Sequence, residues 1–342
     1  MQALVFHGTR EIGLEDYPIP AALPGEGLIN VAACGICGSD LHGYLGHSKR
    51  RSAHIPLIMG HEFTGRIAAL GEGAAATLAV GQRVVVQPQI SCGHCRACRA
   101  GKANTCPNMA IIGIERHGAF AEYVTVPAHR VLAIPDALDD ATASLTETLA
   151  VEVHLFRQYA PLYARTVVVL GAGAQGLFAI QLARNAGAAQ IIASDLFDDR
   201  LQLAAASGAT MTVRSDHDDL VERVMKMTDG WGADMVVDAV GAPITRQQGV
   251  AMLAPDGTLA LVGLGTGETT LNFLPVVNKE LHIQGSYCYT DDDFTLALEL
   301  LANQQIKPDG MVSNVPLREG ADYFRRLADD PAGLTKVVLI PA

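Results

Sequence analysis

Three glycines that close a fully apolar run constrain this chain more than any other feature. Val167-Val-Val-Leu-Gly171-Ala-Gly173-Ala-Gln-Gly176 spells G-x-G-x-x-G after a strand-like segment and before a helical pattern, Leu177-Phe-Ala-Ile-Gln-Leu-Ala-Arg-Asn-Ala. A strand that is apolar on both faces belongs to a parallel sheet covered by helices. In such a unit Gly171 permits the tight turn, Gly173 lets a pyrophosphate approach the backbone, and Gly176 lets the helix pack closely on the strand. The helix N-terminus then offers free N–H groups and the positive end of a dipole to phosphates. The alternation continues with a strand at Gln190-Ile-Ile-Ala-Ser, a helix over residues 200–206, and strands at Met235-Val-Val-Asp and Thr258-Leu-Ala-Leu-Val. This grammar predicts a doubly wound α/β sheet.

An acid ends the second strand. Asp195 follows Gly171 by 24 residues, the place where a carboxylate accepts hydrogen bonds from both hydroxyls of a nucleotide ribose and repels a 2′-phosphate. NAD is therefore expected over NADP. The plain alternative for Asp195 is a helix N-cap. Arg200 either faces the adenosine ribose or stands in solvent.

The first 147 residues read as mostly β. Short runs such as Gly27-Leu-Ile-Asn-Val, Gly65-Arg-Ile-Ala-Ala-Leu and Gln82-Arg-Val-Val-Val-Gln lie between Gly and Pro turns. Inside this region Cys92-Gly-His-Cys95-Arg-Ala-Cys98, followed by Cys106, gives C-x2-C-x2-C-x7-C. Four thiolates on one short loop close a tetrahedron around zinc and leave no open position, which makes such a site structural. The spacing also permits an iron–sulfur cluster, or cysteines that are free or disulfide-bonded. A second, dispersed set consists of Cys37-Gly-Ser39-Asp40-Leu-His42, Gly60-His61-Glu62 and Glu147. Cys37, His61 and a carboxylate could bind one zinc and leave a position for water or substrate. Taken singly, Cys34-x-x-Cys37 could be a redox pair, His61 a core histidine and Glu62 a surface acid.

Charge and composition narrow the partners. The 342 residues carry 25 Lys+Arg against 36 Asp+Glu, a formal net charge of −11. No basic field exists to attract nucleic acid or an anionic membrane. The most apolar stretch, residues 166–183, holds three glycines and two glutamines, so a membrane helix is not expected there. The N-terminus lacks a basic segment followed by a long apolar run, and clustered cysteines suit a reducing compartment, so a cytoplasmic location is expected.

Together these motifs resemble the zinc-dependent medium-chain dehydrogenase/reductase superfamily, the alcohol dehydrogenase superfamily, over essentially the whole chain, including the terminal Lys336-Val-Val-Leu-Ile. The resemblance implies a GroES-like β-rich catalytic domain at residues 1–148 and 287–342, a Rossmann NAD-binding domain at 149–286, and a cleft between them. It implies two zinc ions per chain, NAD, a small-molecule alcohol substrate and a homodimer or homotetramer. Glu147, in Leu145-Thr-Glu147-Thr-Leu, stands where dehydrogenases of simple primary alcohols carry a cysteine, which points to the branch of sorbitol, butanediol and sugar-alcohol dehydrogenases.

By the same resemblance Cys37 and His61 ligate the catalytic zinc, and Glu62 or Glu147 supplies a third contact. Asp40 orients His61, Ser39 touches the reacting hydroxyl, and His42 ends a proton relay. Gly171, Gly173, Gly176, Asp195 and Arg200 hold the dinucleotide, and Cys92, Cys95, Cys98 and Cys106 hold the structural zinc. Two positions depart from the branch. Thr148 replaces its usual proline, and Cys288 stands near the place of an arginine that holds the polyol in animal sorbitol dehydrogenases, which speaks against sorbitol itself. The run Gly285-Ser-Tyr287-Cys-Tyr289 is expected to shape the pocket there or to pack as plain aromatic core. Lys49, Arg50 and Arg51 form either a solvated basic loop or a reader of anionic substrates such as a sugar acid, a sugar phosphate or an amino-hydroxy acid. A dinucleotide-binding scaffold without chemistry is the non-enzymatic alternative.

Overall fold

A computed structural model describes residues 1–74 and 76–341. The chain divides into two compact units, residues 1–150 with 289–342, and residues 151–288. The first unit is β-rich, and its main sheet runs Val131–Ala133, Arg83–Val86, Glu62–Leu70, Glu26–Gly35, Lys336–Ile340, Val312–Pro316, with Tyr123–Pro127 also paired to Glu26–Gly35. Alternating residues of these strands, together with Phe6, Phe63, Phe120 and Phe324, form its core, and all four phenylalanines are fully buried. Each such side chain contributes about 1.5–3 kcal/mol on burial.

Register in this sheet sets the geometry of the site. Gly35 lies opposite Glu62, and Val338 lies opposite Gly35. Cys37, His61, Glu62 and Lys336 are therefore delivered to one end of the sheet by three neighbouring strands. Gly35 has to be a glycine here, because a Cβ on it would overlap Glu62 Oε2 and press on Lys336 Cε at 3.0 Å.

The second unit is a six-stranded, all-parallel sheet in the order Met211–Arg214, Gln190–Asp195, Thr166–Leu170, Ala233–Asp238, Leu253–Leu261, His282–Gly285. In sequence ranks this is 3-2-1-4-5-6, the dinucleotide-binding order. The helix Ala174–Asn185 follows the glycine turn, and Asp198–Ser207 follows the second strand. Two strands that the pattern of residues did not announce are the outer ones, Met-Thr-Val-Arg and His-Ile-Gln-Gly. Both are short and partly polar because an edge strand needs no apolar run. Among the described residues no helix is long and apolar enough to cross a membrane.

Candidate active site and metal centres

One turn of helix organises the dispersed set. Cys37 is the N-cap of the helix Gly38–Tyr44: the Ser39 N–H donates to its Sγ at 3.5 Å, and the Cys37 N–H donates to Asp40 Oδ2 at 3.0 Å. This reciprocal capping box explains why Cys and Asp occur at that spacing, and it fixes the thiol at the start of the helix. Ser39 and His42, three residues apart, share one helix face.

His61 enters from the neighbouring strand. It follows Gly60, whose φ of +96° and contact with Phe120, where a Cβ would lie 2.7 Å from Cδ1, exclude any side chain. His61 Nδ1 lies 3.3 Å from Asp40 Oδ1, and Nε2 lies 3.4 Å from Ser39 Oγ. Asp40 thus faces one ring nitrogen and leaves the other for a ligand. Burial opposes a charge on His61, but Asp40 and Cys37 outweigh it and hold its pKa well above the usual value. Burial likewise opposes ionisation of Asp40, yet His61, Arg51 and the Cys37 N–H bring its carboxyl below the usual range.

The two carboxylates in question differ in their company. Glu62 is fully buried, accepts from Thr148 Oγ1 at 2.9 Å on Oε1, and pairs with the Lys336 ammonium through Oε2. Glu147 accepts from the Tyr289 hydroxyl at 2.9 Å. Burial, opposed by His61 and reinforced by the like charge of Glu62, raises Glu147 to about 7. Cys37, His61 and Glu62 each bring a donor atom within 4.8 Å of the others. Zinc bonds to S, N and O are about 2.0–2.3 Å long, so small side-chain shifts bring all three donors onto one ion. The charge of this donor set, one thiol, one imidazole and one carboxylate, suits a divalent cation. Glu147 lies outside that trio.

The cysteine lobe passes a sharper geometric test. The neighbouring sulfurs lie 3.5 Å apart for Cys95–Cys98 and Cys92–Cys106, 3.9 Å for Cys95–Cys106 and 4.0 Å for Cys92–Cys98. A tetrahedron with Zn–S bonds of about 2.3 Å has edges of about 3.8 Å. Disulfides would need about 2.05 Å, and among the described residues no cysteine is disulfide-bonded. Backbone N–H groups of His94 and Cys95 draw Cys92 down to about 6, whereas burial and neighbouring thiols push Cys98 up to about 11. A cation that collects four thiolates resolves that conflict. Cys34 is wholly buried and its thiol is held well above the usual range by burial and then by Asp40 and Glu62, so the Cys34–Cys37 redox reading finds no support.

The glycine turn carries the geometry its motif predicts. Gly171 has φ +90°. A Cβ on Gly176 would sit 1.8 Å from Gly171 O, so helix and strand touch backbone to backbone. A Cβ on Gly173 would meet nothing within 4 Å, and no side chain caps the helix that Gly173 opens. That open, donor-rich end is the cradle a phosphate requires. Asp195 accepts from Ala172 N at 2.7 Å, Leu196 N at 2.7 Å and Phe197 N at 3.1 Å. It is not the N-cap of the next helix, since Phe197 takes that position. Arg200 does not stand in solvent: its guanidinium lies 5.0 Å over the Phe197 ring, and Nη1 lies 3.9 Å from Asp195 Oδ2.

Comparison with known proteins agrees with this anatomy. Residues 23–136 match the family of alcohol dehydrogenase GroES-like domains, and residues 174–303 match the zinc-binding dehydrogenase family. Sorbitol dehydrogenase of Bacillus subtilis is 34% identical over 345 residues, covering 100% of this chain and 97% of its own length. The chain belongs to the zinc-dependent medium-chain dehydrogenases, on the branch that holds the polyol dehydrogenases. L-Threonine 3-dehydrogenase of the same bacterium is 36% identical, with 96% of this chain and 94% of its own covered. A solved protein of Sinorhizobium meliloti 1021, bound to NADP, superposes with a TM-score of 0.90 at 34% identity and 99% coverage of both chains. The family accounts for zinc and a nicotinamide cofactor as the groups these sites receive.

Four residues around the site went unassigned in the sequence. Lys336 and Thr148 fix Glu62, Tyr289 fixes Glu147, and Arg51 is buried against Asp40 and Ser39. The three residues of the basic loop differ: Lys49 is exposed, Arg50 pairs with Glu115 at 2.7 Å, and Arg51 is 3% exposed. Thr148 gives its departure from proline a reason, since proline has no hydroxyl to donate to Glu62.

Metal analysis of the purified chain should find two zinc equivalents. Cys37→Ala should leave one, and Cys98→Ala should leave one while lowering thermal stability. A single equivalent that Cys37→Ala does not change contradicts the second centre.

Proposed function

We propose that this chain is an NAD-dependent, zinc-dependent polyol dehydrogenase that oxidises a secondary alcohol of a polyol or sugar-type substrate to the ketone. The observation that carries the reading is the convergence of Cys37, His61 and Glu62 donors within 4.8 Å, beside the hydroxyl of Ser39. Cys37, His61 and Glu62 would hold the catalytic zinc. Glu147, kept nearby by Tyr289 and prone to be neutral near pH 7, is the reserve carboxylate. Cys92, Cys95, Cys98 and Cys106 would hold the structural zinc. Zinc, when bound, supplies the Lewis acidity that eases loss of the substrate's hydroxyl proton. A nicotinamide cofactor, when bound, would supply the hydride acceptor.

The chain's own residues manage the proton and the alignment. Ser39 Oγ takes the hydroxyl proton and passes its own on through the ribose, and His42, on the same helix face, ends the relay to solvent, since an imidazole can accept a proton at one nitrogen and release one. Lys336 balances the charge of Glu62, so the site adds one net positive charge when a divalent ion joins Cys37 and Glu62 and the ammonium remains. That surplus favours an alkoxide over an alcohol. The open cradle at Gly171, Gly173 and Gly176 would take the pyrophosphate. Three backbone donors on Asp195 leave about one acceptor site of its carboxylate, which supports a ribose hydroxyl and opposes a 2′-phosphate.

Relationship to a threonine dehydrogenase raises the amino-hydroxy acid reading. A carboxylate-bearing substrate needs a cation to meet it; Arg51 is buried on Asp40 and Arg50 pairs with Glu115, so within the basic loop that part falls to the exposed Lys49. A turnover panel decides: neutral polyols with adjacent hydroxyls should reduce NAD with kcat/KM at least about tenfold above the matching acids, phosphates and threonine. Preference for any anionic substrate would contradict the reading. Asp195→Ala should erode the preference for NAD over NADP by about 1–2 kcal/mol, and an unchanged ratio would remove Asp195 from cofactor choice.

The reading extends to a cytoplasmic homo-oligomer, tested for location by fractionation of the source cells. The outer strand His282–Gly285 is exposed at all four positions and pairs on one side only, with Leu253–Leu261, while Phe273, Leu274 and Val277 just before it are 60–71% exposed. An open edge of this kind can pair antiparallel with its own copy about a two-fold axis. Sedimentation should show a dimer or a multiple of it, and Ile283→Pro should reduce it to monomer. A monomeric wild type overturns this.

A further inference from the structure

We propose that Arg51 is a positioning residue that presets the Ser39 hydroxyl for proton transfer; the proposal rests on the reaction read above. Arg51 lies in the short helix Lys49–Ser52, where its N–H is capped by Ser48 Oγ at 3.4 Å. Its side chain turns inward through a gap left by Gly43, where a Cβ would stand 2.5 Å from Arg51 Cδ. The result is an arginine only 3% exposed. One nitrogen, Nη2, donates both to Asp40 Oδ1 at 3.0 Å and to Ser39 Oγ at 3.2 Å. The same Asp40 oxygen faces His61 Nδ1 at 3.3 Å, and Ser39 Oγ lies 3.4 Å from His61 Nε2. A single guanidinium nitrogen thus joins the carboxylate behind the imidazole to the hydroxyl in front of it.

The chemistry of the donor makes this more than charge neutralisation. A guanidinium has no acceptor. Ser39 Oγ must therefore use one lone pair toward Arg51, and its own hydrogen is turned away from that side. The other lone pair is left to accept the substrate's hydroxyl proton as the serine's own proton moves onward, and the reverse reaction uses the same path, so the hydroxyl is held in register with both neighbours. Without Arg51 the hydroxyl would sample its staggered wells and spend part of its time misdirected. If Arg51 served Asp40 alone, its loss would act on stability and metal retention and would not depend on Ser39.

The test uses the zinc-loaded full chain with Arg51→Met and Arg51→Lys, each alone and combined with Ser39→Ala. Zinc content, kcat, KM and melting temperature are measured. With zinc retained, Arg51→Met should lower kcat about 10- to 100-fold and change KM by less than about threefold. Lysine, which keeps the charge but not the fork, should restore part of the loss. In the Ser39→Ala background neither substitution should cost anything further. An unchanged kcat, or an equal loss with and without Ser39, overturns the proposal. If Arg51→Met fails to fold or sheds zinc, Arg51→Lys decides: a kcat loss that vanishes in Ser39→Ala supports the proposal, and wild-type kcat refutes it. Melting temperatures answer independently of substrate. The losses from Arg51→Lys and Ser39→Ala should not add, because both weaken the same bond, and additive losses refute the contact. A wild type that oxidises no polyol would count against the proposed function, with the melting-temperature cycle still deciding Arg51.

Discussion

The carboxylate of Asp40 is the point on which the site turns. It is fully buried, yet it meets the Cys37 N–H, the ring of His61 and the guanidinium of Arg51. A buried charge with these partners is compensated, and loss of the Arg51 guanidinium would break a buried ion pair, a change that costs about 3–5 kcal/mol. Through Asp40 the N-cap thiol, the imidazole and the relay hydroxyl occupy fixed positions before any ligand arrives. Such preorganisation is what a catalytic site requires, because reorientation at the moment of reaction would add to the barrier.

A second layer of charge surrounds the first. Glu62 is matched by Lys336, whose ammonium also donates to Ile36 O at 3.2 Å and keeps its charge against the pull of burial through Glu62 and Cys37. Glu147 is held by Tyr289, and burial raises its pKa to about 7. Two acids in one buried site are tolerated because one is paired and the other titrates upward, so their like charges seldom coexist. A divalent ion held by Cys37, His61 and Glu62 would have three protein donors and would keep a position open for a substrate oxygen.

How much of this could be read from the residues depends on whether a role is local. The turn at Gly171, Gly173 and Gly176 was legible because steric demands on a backbone are written in neighbouring residues. The four-cysteine lobe was legible because its ligands lie on one short loop. The capping box hid in plain view, since cysteine is an unusual N-cap, although Asp40 at the third helical position was a usable signal. Lys336, 300 residues from its Ile36 partner, and Tyr289, 142 from Glu147, have no local signature at all. Arg51 was misjudged for a different reason. Charge runs usually face water, and only the missing side chain at Gly43 lets this one arginine turn inward. The outer strands of the parallel sheet escaped because an edge position relaxes the demand for apolar residues on both faces.

Anomalous diffraction at the zinc edge from crystals of the zinc-loaded protein tests the central claim most directly. The account predicts two peaks: one enclosed by the sulfurs of Cys92, Cys95, Cys98 and Cys106, the other about 2.0–2.3 Å from Cys37 Sγ and His61 Nε2 with one coordination position not filled by protein. A second peak absent from that place, or one closed off by four protein ligands, would contradict it.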